Sequence, residues 1–305
     1  MDVSVIIVNY NTKDFLASCL TSLFEKTRGI SYEVIVSDNG STDGSIEMLQ
    51  EKFSHVILIE NKRNLGFGAA NNKALAVAKG KYVFYLNSDT VLLNNAVKLF
   101  YDYFESYSEK KLGALGGMLL DEKGNYIHSY GDFPRYKASI IDLLKLNAGN
   151  IYLSLGTLLG IKTMHRNHFS DEYYGAVAFV TGADLFVRNT PLAKYDEDFF
   201  LYSEDSFLQF VMAQHNLERR IIQGPKIVHC CGGSVGERIS IYRKASYSRI
   251  CFEFSRIIFL KKIDRQKNFL SLLLLFFIKF LILLSWSNFF LIKKTCHYFK
   301  KLLIL

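Results

Sequence analysis

The first 90 residues alternate between short apolar runs and segments with helical spacing. Four runs rich in β-branched residues predict buried strands, at residues 3–8, 32–36, 56–59 and 82–86. Three intervening segments have apolar residues at helical spacing and predict helices, at residues 15–24, 46–53 and 68–79. Gly80 stands where a helix usually stops. This alternation predicts an α/β, Rossmann-like half with a parallel sheet, whose ligand lies at the carboxyl ends of the strands.

Residues 91–240 have a less regular pattern. Asp121 and Gly124 indicate a turn between two strands, and residues 177–187 indicate a strand pair interrupted by Thr181 and Gly182. Three further segments are predicted: an apolar loop with a helix at 140–163, a helix at 206–215 and a last core strand at 226–229.

Charge is distributed unevenly along the chain. The sequence has 37 Lys and Arg against 29 Asp and Glu, a formal net charge of +8. Residues 238–305 have 14 basic and 2 acidic side chains, a net of +12, whereas residues 1–237 have a net of −4. Because the basic residues flank hydrophobic runs, they favour an anionic membrane surface over nucleic acid as a partner.

The most apolar stretch is residues 269–292, which contain one charged residue, Lys279. As a helix it would be about 36 Å long, enough to span a bilayer. The central lysine, Asn288 and the basic flanks favour a helix that lies in the membrane plane instead. A buried core helix is the third alternative, since it would need a large core around it. We predict a helical, basic, hydrophobic membrane-associating tail at 241–305, at the cytoplasmic face of a bacterial inner membrane.

Polar residues follow each of the first four predicted strands. They lie at 9–12, 37–45, 61–68 and 87–90. Taken singly, each group is most simply a turn or a helix cap, but together they predict one crevice. In that crevice Asp38 can accept a hydrogen bond from a base, and Asp89 can hold a divalent cation on a diphosphate. No GxGxxG follows the first strand, which disfavours a dinucleotide-dependent oxidoreductase, and the five cysteines show no zinc-site spacing.

With these motifs the chain resembles the family 2 glycosyltransferases, and within them the bacterial rhamnosyltransferase-like branch of surface-polysaccharide biosynthesis. The matching segments are SVIIVNYNTKDFLASCLTSL (4–23), YEVIVSDNGSTDGS (32–45), NKRNLGFGAANNKAL (61–75), YLNSDT (85–90), DEKGNYIHSYGDFP (121–134), TGADLFVR (181–188), YDEDFFLYSED (195–205) and VHCCGGS (228–234). Their number and order make the resemblance specific. It implies a GT-A fold with a mixed central sheet over residues 1–240, with a nucleotide-sugar half at 1–90 and an acceptor half at 91–240.

The resemblance also implies roles for individual residues in an inverting transfer from a nucleotide-sugar. Asp38 would bind the pyrimidine. The full set of residues expected around the nucleotide is Thr12, Asp38, Asn39, Asn64, Gly66 and Asn87. Asp89 would be the metal-binding acid, with Asn87 in place of the family's first acid, and His229 would be a second metal or diphosphate ligand. Asp205, with Glu204 beside it, would be the catalytic base.

The chemistry of an inverting transfer requires this set of groups. The acceptor hydroxyl must lose its proton as it attacks the anomeric carbon, which calls for a carboxylate on the acceptor side. The leaving diphosphate gathers negative charge, which Mg²⁺ or Mn²⁺ can stabilise. The simpler alternative for Glu204 and Asp205 is a helix N-terminus with acidic residues. A lone histidine at a strand end is usually structural, so His229 is a candidate only through the resemblance.

The sequence departs from the branch's pattern at two places, which bear on the acceptor. Phe207 stands where a second acid often follows the base, and residues 193–195 replace a Gly-Gly element. The predicted donor is a dTDP- or UDP-sugar, with a rhamnose-type donor favoured, and the predicted acceptor is a polyprenyl-diphosphate-linked saccharide. The alternatives are a non-catalytic membrane-bound scaffold on the same fold and a nucleotide-dependent oxidoreductase.

Overall fold

The computed structural model describes residues 1–107, 111–135, 171–230 and 247–263. The chain divides into two compact units. The first unit comprises Met1–Phe133, Asn167–Phe200 and Glu204–Arg238, and the second comprises Pro134–Arg166, Leu201–Ser203 and Ile239–Leu305. The predicted loop at 140–163 and the predicted helix at 269–292 lie outside the described residues. The domain boundary at residue 240 stays a prediction.

The described residues form twelve strands and six α-helices. The strands are Val3–Asn9 (β1), Tyr32–Asp38 (β2), Ile57–Glu60 (β3), Tyr82–Asn87 (β4), Thr90–Leu92 (β5), Leu112–Gly117 (β6), Tyr130–Gly131 (β7), Gly175–Ala176 (β8), Phe179–Val180 (β9), Asp184–Arg188 (β10), Glu218–Ile222 (β11) and Ile227–His229 (β12). The helices are Lys13–Lys26 (α1), Ser45–Lys52 (α2), Phe67–Leu75 (α3), Ala96–Ser106 (α4), Glu204–Gln214 (α5) and Tyr247–Ile263 (α6).

An eight-stranded mixed sheet forms the centre of the first unit. Its strand order is β3-β2-β1-β4-β10-β6-β11-β8. The first four strands are parallel, whereas β10 runs antiparallel to both β4 and β6. Two small antiparallel pairs accompany this sheet, β5 with β12 and β7 with β9. The predicted parallel half and the mixed sheet are therefore both present.

Apolar side chains cover both faces of this sheet. One core cluster joins Val5 and Ile7 of β1 to the buried sides of α1, α2 and α4. The other joins Ile6 of β1 to residues of α3 and α5. Phe186 lies in the first cluster, with its ring centre 5.4 Å from that of Tyr82 and 5.5 Å from that of Phe100. Burial on two faces explains why the central strands are continuously apolar.

One predicted helix end differs from the structure, and one predicted turn is present. The third helix ends at Leu75 instead of residue 79. After Leu75 the chain continues with tighter i→i+3 hydrogen bonds. One of them joins the Ala78 N–H to the Leu75 carbonyl at 3.2 Å. The Asp121 turn is present, with the Gly124 N–H donating to the Asp121 carbonyl at 2.9 Å. This turn lies between β6 and β7, as predicted, and an isolated bridge between Leu120 and Tyr126 flanks it.

In the second unit, the described residues of α6 contact the segment 201–203. Ser255 Oγ donates to the Leu201 carbonyl at 2.8 Å, and the rings of Phe252 and Tyr202 meet edge to face, 5.9 Å apart. Tyr202 and Ser203 both have positive φ, at 69° and 62°. Within the described ranges we find no helix with the length and apolar character that a membrane crossing requires.

Candidate active site

The carboxyl ends of β1, β2 and β4 lie at one level of the sheet. In the parallel pairing Asn9 lies opposite Asp38, while Val8 lies opposite Ser37 on one side and Asn87 on the other. The polar residues that follow these strands therefore meet at one edge, as the sequence predicts. The strand order reverses between β1 and β4, and such a reversal is where open α/β sheets form a ligand crevice.

Asp38 is fully buried at the end of β2 and accepts four hydrogen bonds from the protein. Its Oδ1 accepts from the backbone N–H groups of Gly40 and Ser41, at 2.9 and 2.8 Å. Its Oδ2 accepts from Asn9 Nδ2 at 2.8 Å and from Ser41 Oγ at 2.6 Å. These donors use the full accepting capacity of the carboxylate, so Asp38 shapes the loop after β2. Its direct hydrogen bond to a base stays a prediction.

A second polar network joins the ends of β2 and β3 to the start of α3. Asn39 Oδ1 accepts from Asn61 Nδ2 at 3.1 Å, and Asn39 Nδ2 donates to the Gly66 carbonyl at 3.3 Å. Asn64 Oδ1 accepts from the Gly66 N–H at 2.9 Å. Gly66 has a φ of +90°, and a Cβ there would lie 2.4 Å from the Phe200 carbonyl oxygen. Glycine is therefore required at this junction, and the predicted residues Asn39, Asn64 and Gly66 are in contact.

Thr12 connects the end of β1 to the loop that follows β4. Its hydroxyl donates to Asn9 Oδ1 at 2.6 Å and lies 2.9 Å from Ser88 Oγ. Because Asn9 also donates to Asp38, the two predicted nucleotide residues Thr12 and Asp38 belong to one network. Asn9 and Ser88 belong to the polar segments 9–12 and 87–90 that predict the crevice, but sequence reasoning assigned neither of them an individual role.

The candidate cation site lies where β4 ends and β12 ends. His229 Nε2 lies 3.2 Å from Asp89 Oδ1 and 3.4 Å from Asn87 Nδ2. The antiparallel pairing of β12 with β5 places His229 opposite Thr90, beside Asp89. Asn87 Oδ1 is buried and has no hydrogen-bond partner among the described residues. In the same part of the chain, no cluster of three or more Asp, Glu, His or Cys side chains has the arrangement of a metal site.

The candidate base, Asp205, lies in the first turn of α5. Its Oδ2 accepts from the Gly182 N–H at 2.9 Å, and its Oδ1 accepts from the Ser206 N–H at 2.7 Å. Burial raises the pKa of Asp205, and these two backbone hydrogen bonds oppose the rise. Asp205 is partly exposed, whereas its neighbour Glu204 is buried. Asp205 is therefore the better placed of the two predicted acids to meet a hydroxyl group.

Asp184, the first residue of β10, is a buried acid that sequence reasoning did not select. Its Oδ2 accepts from the Gly117 N–H at 2.7 Å, and its Oδ1 has no hydrogen-bond partner in the described part of the chain. Burial raises the pKa of Asp184 well above its usual range, while the Gly117 hydrogen bond and the nearby charge of His229 lower it. The available signal was an aspartate at the start of the apolar segment Leu185–Val187.

The comparisons with known proteins agree with this fold and crevice. Residues 4–113 match the model of the family described as Glycosyl transferase family 2. Residues 4–113 therefore carry a family 2 glycosyltransferase domain, which agrees with the predicted family and enzyme class. The rhamnosyltransferase-like branch stays a prediction.

Three curated relatives show how far the sequence similarity extends. A poly(ribitol-phosphate) beta-glucosyltransferase of Bacillus spizizenii is 36% identical over 124 residues, 39% of this chain and 20% of that protein. The UDP-Glc:alpha-D-GlcNAc-diphosphoundecaprenol beta-1,3-glucosyltransferase WfaP of Escherichia coli is 33% identical over 135 residues, 41% of this chain and 53% of that protein. A chondroitin synthase of Escherichia coli is 30% identical over 136 residues, 44% of this chain and 20% of that protein. The matches span about half or less of these relatives.

Two solved structures share the fold at low sequence identity. TarS 1-349 of S. aureus superposes with a TM-score of 0.50 at 16% identity, over 76% of this chain and 61% of that one. The mannosyltransferase PcManGT of Pyrobaculum calidifontis, solved with GDP-Man and Mn²⁺, gives a TM-score of 0.53 at 15% identity, over 88% and 65%. These likenesses confirm the predicted α/β fold with a mixed central sheet.

The hydrogen bonds of Asp38 predict a stability defect when its charge is removed. In Asp38→Asn the new amide group would face N–H donors that the carboxylate now accepts. We expect the nucleotide-free protein to lose about 1–3 kcal/mol of unfolding free energy, the typical cost of leaving buried polar groups unsatisfied. Urea denaturation measures this loss. Glu51→Gln, at an exposed position of α2, is the control. If Asp38→Asn instead kept its stability but no longer bound a nucleotide-sugar, Asp38 would be assigned a direct contact with the base.

Proposed function

We propose that this chain is an inverting glycosyltransferase that moves a sugar from a nucleotide-sugar to a lipid-linked saccharide. The observation that carries the proposal is the polar edge at which β1, β2 and β4 end together. There the Thr12–Asn9–Asp38 network lies beside the group of Asp89 and His229. A buried polar network suits a nucleoside, which needs hydrogen bonds, and a carboxylate that can hold a divalent cation suits the diphosphate, whose charge the cation would neutralise.

The proposed donor is a dTDP- or UDP-sugar. The resemblance to the rhamnosyltransferase-like branch favours a rhamnose-type donor, whereas the relative WfaP is named for UDP-Glc. A panel of dTDP-rhamnose, UDP-glucose and GDP-mannose, scored for hydrolysis and transfer, separates these donors. Hydrolysis of none of them, with no nucleotide binding, would contradict the proposed activity and favour a non-catalytic scaffold.

The proposed acceptor is a polyprenyl-diphosphate-linked saccharide, as used in O-antigen, capsule or cell-wall polysaccharide synthesis. Two observations support it: the name of WfaP specifies a sugar on diphosphoundecaprenol, and the tail sequence is basic and apolar. An acceptor that carries a lipid diphosphate lies at a membrane, where such a tail would hold the enzyme.

Mg²⁺ or Mn²⁺ fits the residues at the end of β4. Asp89 offers a carboxylate, His229 a ring nitrogen, and Asn87 Oδ1 is a buried oxygen without a hydrogen-bond partner in the described ranges. Oxygen-rich sets with a histidine suit these cations, and two or three protein ligands leave positions for diphosphate oxygens. When bound, the cation would neutralise charge on the leaving diphosphate. Asp89 and His229 would hold it.

Asp205 would take the proton from the acceptor hydroxyl. As the hydroxyl oxygen bonds to the anomeric carbon, the bond from that carbon to the diphosphate oxygen breaks, and the electron pair leaves with the nucleoside diphosphate. The Gly182 and Ser206 N–H groups hold the carboxylate in one orientation. Its raised pKa makes it a stronger base than an exposed aspartate.

Removal of the base should separate donor binding from turnover. Asp205→Asn keeps the shape of the side chain but cannot take a proton. We expect kcat to fall about 10²–10⁴-fold, the usual worth of a positioned base, with little change in the donor Kd. Because the pKa of Asp205 is raised in the folded protein, the wild-type rate should fall as the pH decreases through a value above that of an ordinary aspartate. Near wild-type turnover by Asp205→Asn would place the base elsewhere, with Glu204 tested next.

Chelation should remove the activity reversibly. With a chelator in excess, transfer should stop, and added Mg²⁺ or Mn²⁺ should restore it. Asp89→Ala should weaken donor binding in the presence of the cation but not in its absence, because Asp89 is the carboxylate at this position. Isothermal titration with UDP, with and without Mn²⁺, measures the difference. Full activity in the chelator would rule out the metal role and leave the fold assignment intact.

We also propose that the tail anchors the protein to the cytoplasmic face of the bacterial inner membrane. Attraction to anionic lipid contributes about 1 kcal/mol per basic residue, and apolar burial adds a part that salt does not weaken. Full-length protein should sediment with vesicles that contain phosphatidylglycerol, even at high salt. A chain that ends at residue 268 should stay in the supernatant and still bind the donor. Full-length protein that is monodisperse without detergent and does not sediment would contradict the anchor.

A further inference from the structure

Asp184 is an exceptional group in this protein, because a buried carboxylate is costly unless its oxygens are satisfied. The side chain is 0% exposed. One oxygen accepts a single backbone hydrogen bond from Gly117, and within the described ranges the other, Oδ1, accepts none. An acid that does not stabilise the fold by pairing requires another explanation.

The backbone around Asp184 is tied to the candidate cation site from two sides. In the antiparallel pairing Asp184 lies opposite Leu86, and the carbonyl of its neighbour Ala183 accepts from the Asn87 N–H at 3.0 Å. On the other side, the chain that continues from Gly117 reaches Leu120, whose carbonyl accepts from the His229 N–H at 2.9 Å. Asp184 therefore lies between the end of β4 and the end of β12.

Two consecutive glycines line the carboxyl group. A Cβ at Gly116 would lie 3.4 Å from Asp184 Oδ1, and a Cβ at Gly117 would lie 3.4 Å from Oδ2. These glycines let the β6 backbone lie close to both oxygens. The carboxyl group thus occupies a close-fitting recess in the sheet.

We propose that Asp184 is a positioning residue for the cation, a buried acid that carries its charge when the cation is bound and so compensates for the acid that Asn87 replaces. The inference rests on the proposed metal role. With Asn87 neutral, Asp89 is the one carboxylate at the end of β4. In the low-dielectric interior a further carboxylate attracts a divalent cation without being its ligand, and it favours the orientation of His229 toward the cation.

The alternative is that Asp184 has a purely structural role and does not affect cation binding. Thr181 Oγ1 is also buried and lacks a hydrogen-bond partner among the described residues. A buried water that bridges Thr181 and Asp184 would satisfy both groups. In that case the charge of Asp184 would have no effect on cation binding.

The test is Mn²⁺ binding, measured by electron paramagnetic resonance in the presence of UDP. Asp184→Asn should raise the Mn²⁺ Kd about 10-fold or more, which is the usual effect of removing a residue that supports a metal site without coordinating the metal. Adding Asn87→Asp to this variant should return the Kd to near the wild-type value, because the charge is restored at the end of β4. Glu218→Gln is the matched control, since Glu218 is a partly buried acid that pairs with Arg220. The Mn²⁺ Kd of this variant should equal that of the wild type.

Thermal unfolding separates this effect from damage to the fold. Asp184→Asn keeps the size of the side chain and an acceptor for the Gly117 N–H, so its Tm should stay close to that of the wild type. A folded Asp184→Asn with an unchanged Mn²⁺ Kd would overturn the inference while leaving the metal role in place. If the wild type binds no Mn²⁺, the metal role and this inference both fall. Should Asp184→Asn not fold, Asp184→Ser is measured in the same way, and failure of both to fold would make Asp184 a folding residue and overturn the inference.

Discussion

The parallel register of β1 with β2 and β4 is the constraint on which the site depends. It places Asn9 level with Asp38, and Val8 level with Asn87, so that three strands end at one edge. Asn9 can then donate to Asp38 while it accepts from Thr12. A slip of one residue would turn each of these side chains to the opposite face of the sheet. Apolar residues on both faces of β1 oppose such a slip, since they would lose their packing partners.

The reversed direction of β10 determines the composition of the other wall. In a parallel strand the last residues would lie at the ligand edge, but in β10 the first residues lie there. The turn before β10 therefore brings Gly182 to Asp205, and the first residue of the strand, Asp184, to the end of β4. A mixed sheet in this position supplies functional groups from both directions of the chain.

Four acids near this edge have four different environments, which suit them to different roles. Asp38 is satisfied by four protein donors and organises a loop. Asp89 lies next to His229 and is the carboxylate available to a cation. Asp205 is held by two N–H groups and has a raised pKa, as a proton acceptor requires. Asp184 is buried with one N–H donor. The same side chain thus has different chemical properties at these positions, because burial and hydrogen bonding differ.

The sequence by itself determined the order of strands and helices in the first 90 residues, since apolar periodicity depends only on local geometry. It also placed polar residues at the strand ends, and its motifs indicated the family that residues 4–113 match. Only the tertiary structure decided the partners of these residues. The four donors of Asp38, the pairing of Gly182 with Asp205 and the recess around Asp184 all depend on packing. The hydrogen bond from Gly117 to Asp184 joins residues 67 positions apart. Local sequence patterns cannot specify such a contact, because it exists only after β10 has inserted antiparallel between β4 and β6.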